Sequence, residues 1–332
     1  MSVKVGLNGF GRIGRYMARL LAGDQELHLA AINARSDNET LAHLLKYDSV
    51  HGKFQGTVVA DENGLVLNGA PVRVTKQGAG DWLWGELGVD IVLETTGKFR
   101  DRESCRKHLD CGADKVLISA PGKQPDATIV VGVNDSDLKP DHNIVSNASC
   151  TTNCLAPVVK VLHDSFGIER GLMTTVHSYT MDQRILDGSH KDLRRARAAG
   201  MSIVPTTTGA ARAATEVIPA LKGKLDGLAV RVPTPNVSLI DLTVDLTSEA
   251  SREEINQALK RASEGELESI LGYSEEPLVS VDYVSNRFAG VVDSLVTYVI
   301  DNKTAKVIAW YDNEAGFSHQ LLRLTEKVAR FL

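Results

Sequence analysis

The sequence predicts an α/β chain of two parts. A doubly wound parallel sheet occupies residues 1-149, and an α+β part with a large mixed or antiparallel sheet occupies 150-313. Two observations predict this. Up to residue 149, short apolar runs alternate with helical patterns, as parallel strands joined by crossover helices require. Beyond it the texture changes to longer runs of period-two alternation, the mark of strands buried on one face. No low-complexity tether separates the parts, so the boundary is a change of pattern.

Val3, Val5 and Leu7 alternate as a first strand. Gly9-Phe10-Gly11-Arg12-Ile13-Gly14 follows, then a helical pattern (Ile13, Met17, Leu20, Leu21) and a second strand, Leu27 to Ile32. Strand, glycine turn, helix and strand within about 30 residues is the setting of the dinucleotide-binding Rossmann fingerprint. The glycines let a pyrophosphate approach a helix N-terminus; the other reading is a glycine turn without a ligand. The fingerprint's acidic residue, which holds the ribose hydroxyls, is missing from Ile32-Asn33-Ala34-Arg35-Ser36. Ala34 and Arg35 suit a 2′-phosphate and hence NADP; alternatively Arg35 is a solvated loop charge and Asn33 alone holds the ribose. Asp90–Glu94, Lys115–Ile118 and Thr128–Val133 read as further parallel strands, with a crossover helix between Arg102 and Gly112. Thr96, Gly97 and Ser119 sit just past strand ends, where ligands bind in such sheets.

In the second part, Gly171–Ser178, Leu228–Val232, Ser238–Leu246, Ser294–Asp301 and Ala305–Asp312 read as strands. Ser251-Arg252-Glu253-Glu254 is a capping box opening a helix. An amphipathic helix, 314-332, closes the chain. Composition bounds the function: 332 residues, 43% of them hydrophobic, bury a sizeable core, and a net charge of −5 argues against a nucleic-acid binder. No apolar run reaches the roughly 18 residues of a membrane helix. The N-terminus enters a strand without a signal-peptide pattern, and four cysteines lack metal-site or scaffold spacing, so a cytoplasmic protein without a metal is expected.

The chemistry centres on Ser146-Asn147-Ala148-Ser149-Cys150-Thr151-Thr152-Asn153-Cys154. Small polar residues suit a helix start, where the dipole lowers a thiol's pKa toward the thiolate range. Cys150 is then a nucleophile or, alternatively, a buried structural Cys. His177, in a strand-like run, is a candidate base for it or a core His. Asp187–Arg197 carries a basic cluster, with Arg195 in it, and Pro205–Ala211 offers hydroxyls and a glycine; both bind phosphate well. The cluster reads equally as a solvated or subunit-interface face. Arg231 lies inside an apolar strand and needs an anionic partner.

Taken together, Asn8 to Gly14, Leu44 to Ser49, Ser146 to Cys154, His177 to Gln183, Lys191 to Ala198, Pro205 to Ala211, Arg231 to Pro235 and Trp310 to Glu314 resemble the phosphorylating glyceraldehyde-3-phosphate dehydrogenase family from end to end. The resemblance implies oxidation of glyceraldehyde 3-phosphate to 1,3-bisphosphoglycerate through a thiohemiacetal and a thioester on Cys150, with His177 as base and inorganic phosphate as acyl acceptor. It implies that Thr180 and Arg231 hold the C3 phosphate, and that Ser149, Thr151, Arg195, Thr208 and Gly209 hold the attacking phosphate and moving acyl group. It further implies that Asn313 orients the nicotinamide, that the last helix packs back on the cofactor domain, and that the chain forms a homotetramer. The sequence departs from the family's NAD-specific pattern at Ala34, at Ser189 and at Gln77, the first two as in NADP-using relatives. The expectation is therefore NADP or dual NAD/NADP use. Erythrose-4-phosphate dehydrogenases resemble the chain around Cys150 but lack Tyr179-Thr180 and differ at Thr208-Gly209; a non-catalytic redox sensor using Cys150 and Cys154 is the rival from another class.

Overall fold

The computed structural model describes residues 2–332, which cluster into two units. The first comprises residues 2–129, 135–148 and 318–332; the second comprises 130–134 and 149–317.

In the first unit, β1 (Val3–Asn8), α1 (Arg12–Leu21), β2 (Leu27–Asn33) and α2 (Asn38–Lys46) open the chain. A small hairpin, β3 (Tyr47–Asp48) with β4 (Gly52–Lys53), precedes β5 (Val58–Ala60), β6 (Gly64–Leu67) and β7 (Ala70–Thr75). Then come β8 (Ile91–Glu94), α3 (Arg102–Asp110), β9 (Lys115–Ile118), β10 (Ala127–Thr128) and β11 (Ile144–Ser146). The nine-stranded sheet runs β10-β11-β9-β8-β1-β2-β7-β6-β5. It is parallel from β10 to β7 and antiparallel at the β6 and β5 edge. β1 lies between β2 and β8, the point where chain order reverses and a doubly wound sheet opens a crevice at its strand ends. β8 is buried throughout and β1 from Val5 to Asn8, as central parallel strands are. The Thr128–Val133 run is a strand only at its start: Ile129 leaves the ladder, and 130–134 cluster with the second unit.

In the second unit, α4 (Cys150–Phe166) leads into β12 (Ile168–Ser178), β13 (Val204–Thr207), α5 (Ala210–Val217), β14 (Leu225–Val232) and β15 (Ser238–Leu246). These are followed by α6 (Arg252–Glu264), β16 (Leu271–Ser274), β17 (Gly290–Asp293), β18 (Tyr298–Ile300), β19 (Thr304–Tyr311) and α7 (Ala315–Ala329). The mixed sheet runs β13-β14-β12-β15-β19-β17-β16, with β18 beside β19. Ser251 and Glu254 form the capping box at the start of α6. Pro157 does not stop α4, which continues through it to Phe166. β15 alternates buried and half-buried residues along its length, so one sheet face carries the core. The other bears Leu172, Leu228, Tyr298 and Ile300, all exposed, between the ion pairs Lys306–Asp241 (2.6 Å) and Arg170–Asp245 (2.8 Å). From Ser318, α7 belongs to the first unit, where Leu321, Leu324 and Val328 are buried at helical spacing.

Candidate active site

The glycine turn of the first unit is shaped by close approach. Gly9 has φ +98°, and a Cβ there meets Thr96 at 2.9 Å; a Cβ on Gly14 meets the Gly9 carbonyl at 2.4 Å. Larger residues would push α1 off the turn. Gly11, the N-cap of α1, has open space where its Cβ would stand, gives no side-chain cap, and no acid follows in the first turn. A helix start with no side-chain cap and no acid in its first turn suits a pyrophosphate. Arg12 turns away to a forked pair with Asp48, so this guanidinium fixes the β3–β4 hairpin. Phe10 is buried, and its carbonyl accepts from Arg15 (2.8 Å).

Asn33 is closed off. Its Nδ2 donates to Asn8 Oδ1 (2.9 Å) and the Gln77 carbonyl (3.2 Å), while its Oδ1 accepts from Thr75 Oγ1 (2.9 Å) and the Gln77 N–H (2.8 Å). All four bonding positions of the amide are used, so the side chain read as a ribose ligand is bound inward instead. Ala34 is buried and Arg35 exposed beyond it. The nearest acid in sequence, Asp37, caps α2 by accepting from Thr40 N (2.7 Å) and Thr40 Oγ1 (2.8 Å). Ser119 Oγ donates to the Glu94 carbonyl (2.8 Å), and Thr96 donates through N–H and hydroxyl to the Glu94 carboxylate.

The second unit holds the candidate nucleophile, Cys150. Ala148, at φ 54°, turns the chain into extended Ser149, whose Oγ accepts from Thr152 N (3.0 Å) and caps α4. Cys150 is thus the first helical residue. Register does the rest: Thr175 pairs with Ile240 and so shares the buried face of β12 and β15, and two residues on, His177 falls on that same face. Cys150 Sγ lies 3.5 Å from His177 Nε2. The Ser178 carbonyl is 2.7 Å from His177 Nδ1 and 2.8 Å from Arg231 Nη1. A proton on Nδ1 donates to that carbonyl and leaves the Nε2 lone pair facing the thiol, whereas Arg231 Nη1, which can only donate, lies 2.7 Å from the same Nδ1, so the ring's two neighbours call for opposite tautomers.

Charge is tuned by burial more than by the helix. Burial pushes the Cys150 thiol up, and Arg231 pulls against it, so the expected lowering at the helix start does not prevail. Cys150 keeps some surface exposure, whereas Cys154 is fully buried and pushed further up. His177 is lowered to about 3, first by burial and then by Arg231. The resting pair is therefore a neutral thiol beside a neutral base. Tyr311 backs it: its hydroxyl meets Thr151 Oγ1 (2.7 Å) and Thr175 Oγ1 (2.9 Å), and its ring stands edge-on to His177. Thr151's hydroxyl thus points into the core.

Arg231 Nη1 is also 2.7 Å from His177 Nδ1, while its Nε has no hydrogen-bond partner. Arg195 Nε donates to Thr206 Oγ1 (3.0 Å), and its Nη1 pairs with Asp182. Arg195 is close enough to depress both His177 and Arg231. Thr180 lies just past β12, its carbonyl accepting from Gln183 N (2.9 Å). Thr208 Oγ1 accepts from Ala210 N (3.2 Å), and Gly209 is the N-cap of α5. Asn313 Oδ1 takes hydroxyls from Ser178 (2.8 Å) and Ser238 (3.1 Å). Cys150, His177 and Arg231 are therefore brought into one cluster, with Arg195 at its electrostatic margin.

Residues 3–102 match the model of the glyceraldehyde 3-phosphate dehydrogenase NAD binding domain, and residues 149–313 that of the C-terminal domain. The chain belongs to the glyceraldehyde 3-phosphate dehydrogenase family. It is 58% identical over 331 residues to glyceraldehyde-3-phosphate dehydrogenase of Geobacillus stearothermophilus, covering 99% of each chain. It is 54% identical over 332 residues to glyceraldehyde-3-phosphate dehydrogenase 1 of Bacillus subtilis (strain 168), again over 99% of each. The Mycobacterium avium glyceraldehyde-3-phosphate dehydrogenase is 52% identical over 340 residues, 100% of both. Within this family setting, sequence reasoning missed Tyr311, Ser178, Ser238 and Asp182. Each acts through a side chain distant in sequence, and only Ser178, adjoining His177, had a local signal.

Proposed function

We propose that the chain oxidises D-glyceraldehyde 3-phosphate, with inorganic phosphate, to 1,3-bisphosphoglycerate. The observation that carries this is the Cys150–His177 pair beside the part-satisfied guanidinium of Arg231. Cys150 sulfur bonds the aldehyde carbon while its proton passes by way of Nε2 of His177 to the carbonyl oxygen, giving a thiohemiacetal, and His177 takes that hydroxyl proton back as the carbon is oxidised. When bound, the nicotinamide cofactor supplies the oxidising power by accepting a hydride. Two electrons leave the substrate carbon, and a thioester remains on Cys150. A phosphate oxygen then bonds the acyl carbon as the carbon–sulfur bond breaks; the departing sulfur takes the proton from His177, returning the Cys150 thiol, and the phosphate's proton goes to solvent. Arg231 and Thr180 hold the C3 phosphate. Arg195, Thr208, Gly209 and the backbone at Ser149 and Thr151 receive the attacking phosphate. Gly9 to Gly14, Thr96, Gly97, Ser119 and Gln77 hold the dinucleotide, and Asn313 orients the nicotinamide amide.

The same reading includes NADP beside NAD. Asn33 is closed off, Ala34 is small, and exposed Arg35 can pair with a 2′-phosphate. It also includes a cytoplasmic homotetramer. The outward face of the second unit's sheet displays Leu172, Leu228, Tyr298 and Ile300, apolar surface of the kind subunits cover, and all four cysteines are free thiols. Among the described residues, no helix is long and apolar enough to cross a membrane.

Steady-state kinetics with both cofactors tests the reading. Turnover of glyceraldehyde 3-phosphate that requires phosphate is expected, ahead of erythrose 4-phosphate. Ala34→Asp should lower kcat/KM for NADP about tenfold or more, by like-charge repulsion, while sparing NAD. Negligible NADP turnover by the parent sinks the NADP part, and a monomer in sedimentation velocity sinks the tetramer.

A further inference from the structure

Four neighbouring strands of the first unit end on buried polar side chains that the chemical steps leave unused. β8, β1, β2 and β7 lie side by side, and their last residues are Glu94, Asn8, Asn33 and Thr75. Thr75 Oγ1 donates to Asn33 Oδ1 (2.9 Å), Asn33 Nδ2 to Asn8 Oδ1 (2.9 Å), and Asn8 Nδ2 to Glu94 Oε2 (2.5 Å). The bonds run one way across the sheet, from a hydroxyl to a carboxylate. Glu94 anchors them. Its Oε1 accepts from Thr96 N (2.8 Å) and the Thr96 hydroxyl, and its Oε2 also meets His108 Nε2 (3.3 Å). The indole of Trp84 can only donate, and it reaches His108 Nδ1 at 3.0 Å. His108 in neutral form therefore carries its proton on Nε2 and gives it to Glu94.

Three of these strand ends lead into loops of the proposed dinucleotide site. The glycine turn follows Asn8, Ala34 and Arg35 follow Asn33, and Thr96 and Gly97 follow Glu94. We propose that this row is a positioning device that couples the three loops, with Glu94 setting the direction of every bond back to Asn33. The proposal rests on the dinucleotide reading above. Its mechanism is directional. A Gln at residue 94 keeps one oxygen for Thr96 and turns an amide nitrogen toward both Asn8 Nδ2 and His108 Nε2, donor against donor in each case. Flipping Asn8 relieves that contact but sets its nitrogen against Asn33 Nδ2. Flipping Asn33 in turn mismatches both bonds to the Gln77 backbone, while the Thr75 hydroxyl can turn to accept. The defect therefore travels from β8 to the loop after β2, because an unpaired buried polar atom is costly wherever it stops.

Calorimetric binding of ADP-ribose, with folding checked by circular dichroism, tests this. Glu94→Gln should weaken ADP-ribose about tenfold. Adding Asn8→Asp should recover the part of the loss that travels through Asn8, since a carboxylate in place of the amide accepts from both neighbours, and leave the part at His108. Thr75→Val, which removes only the first donor, should cost about twofold to threefold. A folded Glu94→Gln protein that binds ADP-ribose within twofold of the parent overturns the inference. So does a loss that Asn8→Asp does not reduce, which would mark a local defect at Thr96 or His108. If Glu94→Gln does not fold, Thr75→Val decides, and an unchanged Kd overturns the inference. A parent that binds neither ADP-ribose nor NAD overturns the dinucleotide reading instead.

Discussion

Glu94 in the first unit and Arg231 in the second are charged side chains withdrawn into a sheet, and they are satisfied differently. The Glu94 carboxylate takes four donors: Asn8, His108 and two from Thr96. Arg231 donates toward one carbonyl and touches an imidazole, its Nε is unpartnered, and among the described residues no carboxylate forms an ion pair with it. The amides differ in the same sense. Asn33 uses all four bonding positions, whereas Gln183, also buried, has neither amide atom paired. Loops that hold a ligand through backbone N–H groups need a stiff, satisfied support beneath them. A reacting centre gains from polar atoms left unmatched until substrate arrives, because their desolvation cost is then recovered in binding.

The comparison breaks most severely at Cys150. Cys150→Ser keeps the α4 cap and the neighbours of His177 but removes the soft nucleophile; kcat should fall at least ~10⁴-fold. Binding of ADP-ribose, a property of the first unit, should stay within twofold. A comparable loss of binding would show that the two sets of residues are not separable.

The second prediction concerns His177 and pH. Its folded value is about 3, against an ordinary 6.5. Between those limits the unfolded chain binds a proton that the folded chain does not. Stability therefore holds above about pH 6.5 and is lost as pH falls toward 3, by about 3 kcal/mol at pH 4. His177→Gln removes that share of the acid limb. Urea midpoints of both proteins at pH 4 and pH 7 measure it, and parallel losses would mean that the imidazole is charged in the folded chain.

Arg231→Met comes third. It removes the part-satisfied cation, and KM for glyceraldehyde 3-phosphate should rise ~10²-fold, the scale of charge-assisted phosphate bonds. Unphosphorylated glyceraldehyde should be turned over about as before. An equal loss with both aldehydes would assign Arg231 to holding His177 rather than phosphate.

Much of this is legible in sequence where the cause is local. Gly9 and Gly14 are fixed by a turn and a close approach within six residues, and Ser149 and Ser251 by caps within three. The strand alternation that turns His177 inward is local too. What cannot be read depends on partners far along the chain. Asn8 and Glu94 are 86 residues apart, and Thr151 and Tyr311 are 160 apart. Asn33 is therefore legible as polar and near the ribose position, but not as saturated from the adjoining strands. The Cys150 thiol departs from expectation for a related reason. The helix start is visible in Ser149, whereas the burial that outweighs it comes from the whole fold. Thr128–Val133 has the composition of a strand, yet only Thr128 finds a ladder partner.

The smallest effect is expected where the second unit resembles the first. Asn313 Oδ1 accepts from two hydroxyls, Ser178 at 2.8 Å and Ser238 at 3.1 Å. A carbonyl oxygen held twice leaves the nitrogen end of the amide as the donor, the orientation that its proposed role on the nicotinamide requires. Ser238→Ala removes the longer bond, and Ser178 still sets the flip. KM for the cofactor should rise only about threefold, within the usual worth of one hydrogen bond, with kcat nearly unchanged. Removing both hydroxyls should cost more than the two single losses combined, because the amide then turns freely. A double-mutant cycle reads this directly. If Ser238→Ala alone matches the double variant, its bond to the Ser178 N–H (3.1 Å) is what fixes the site, and Asn313 is held through the backbone of β12.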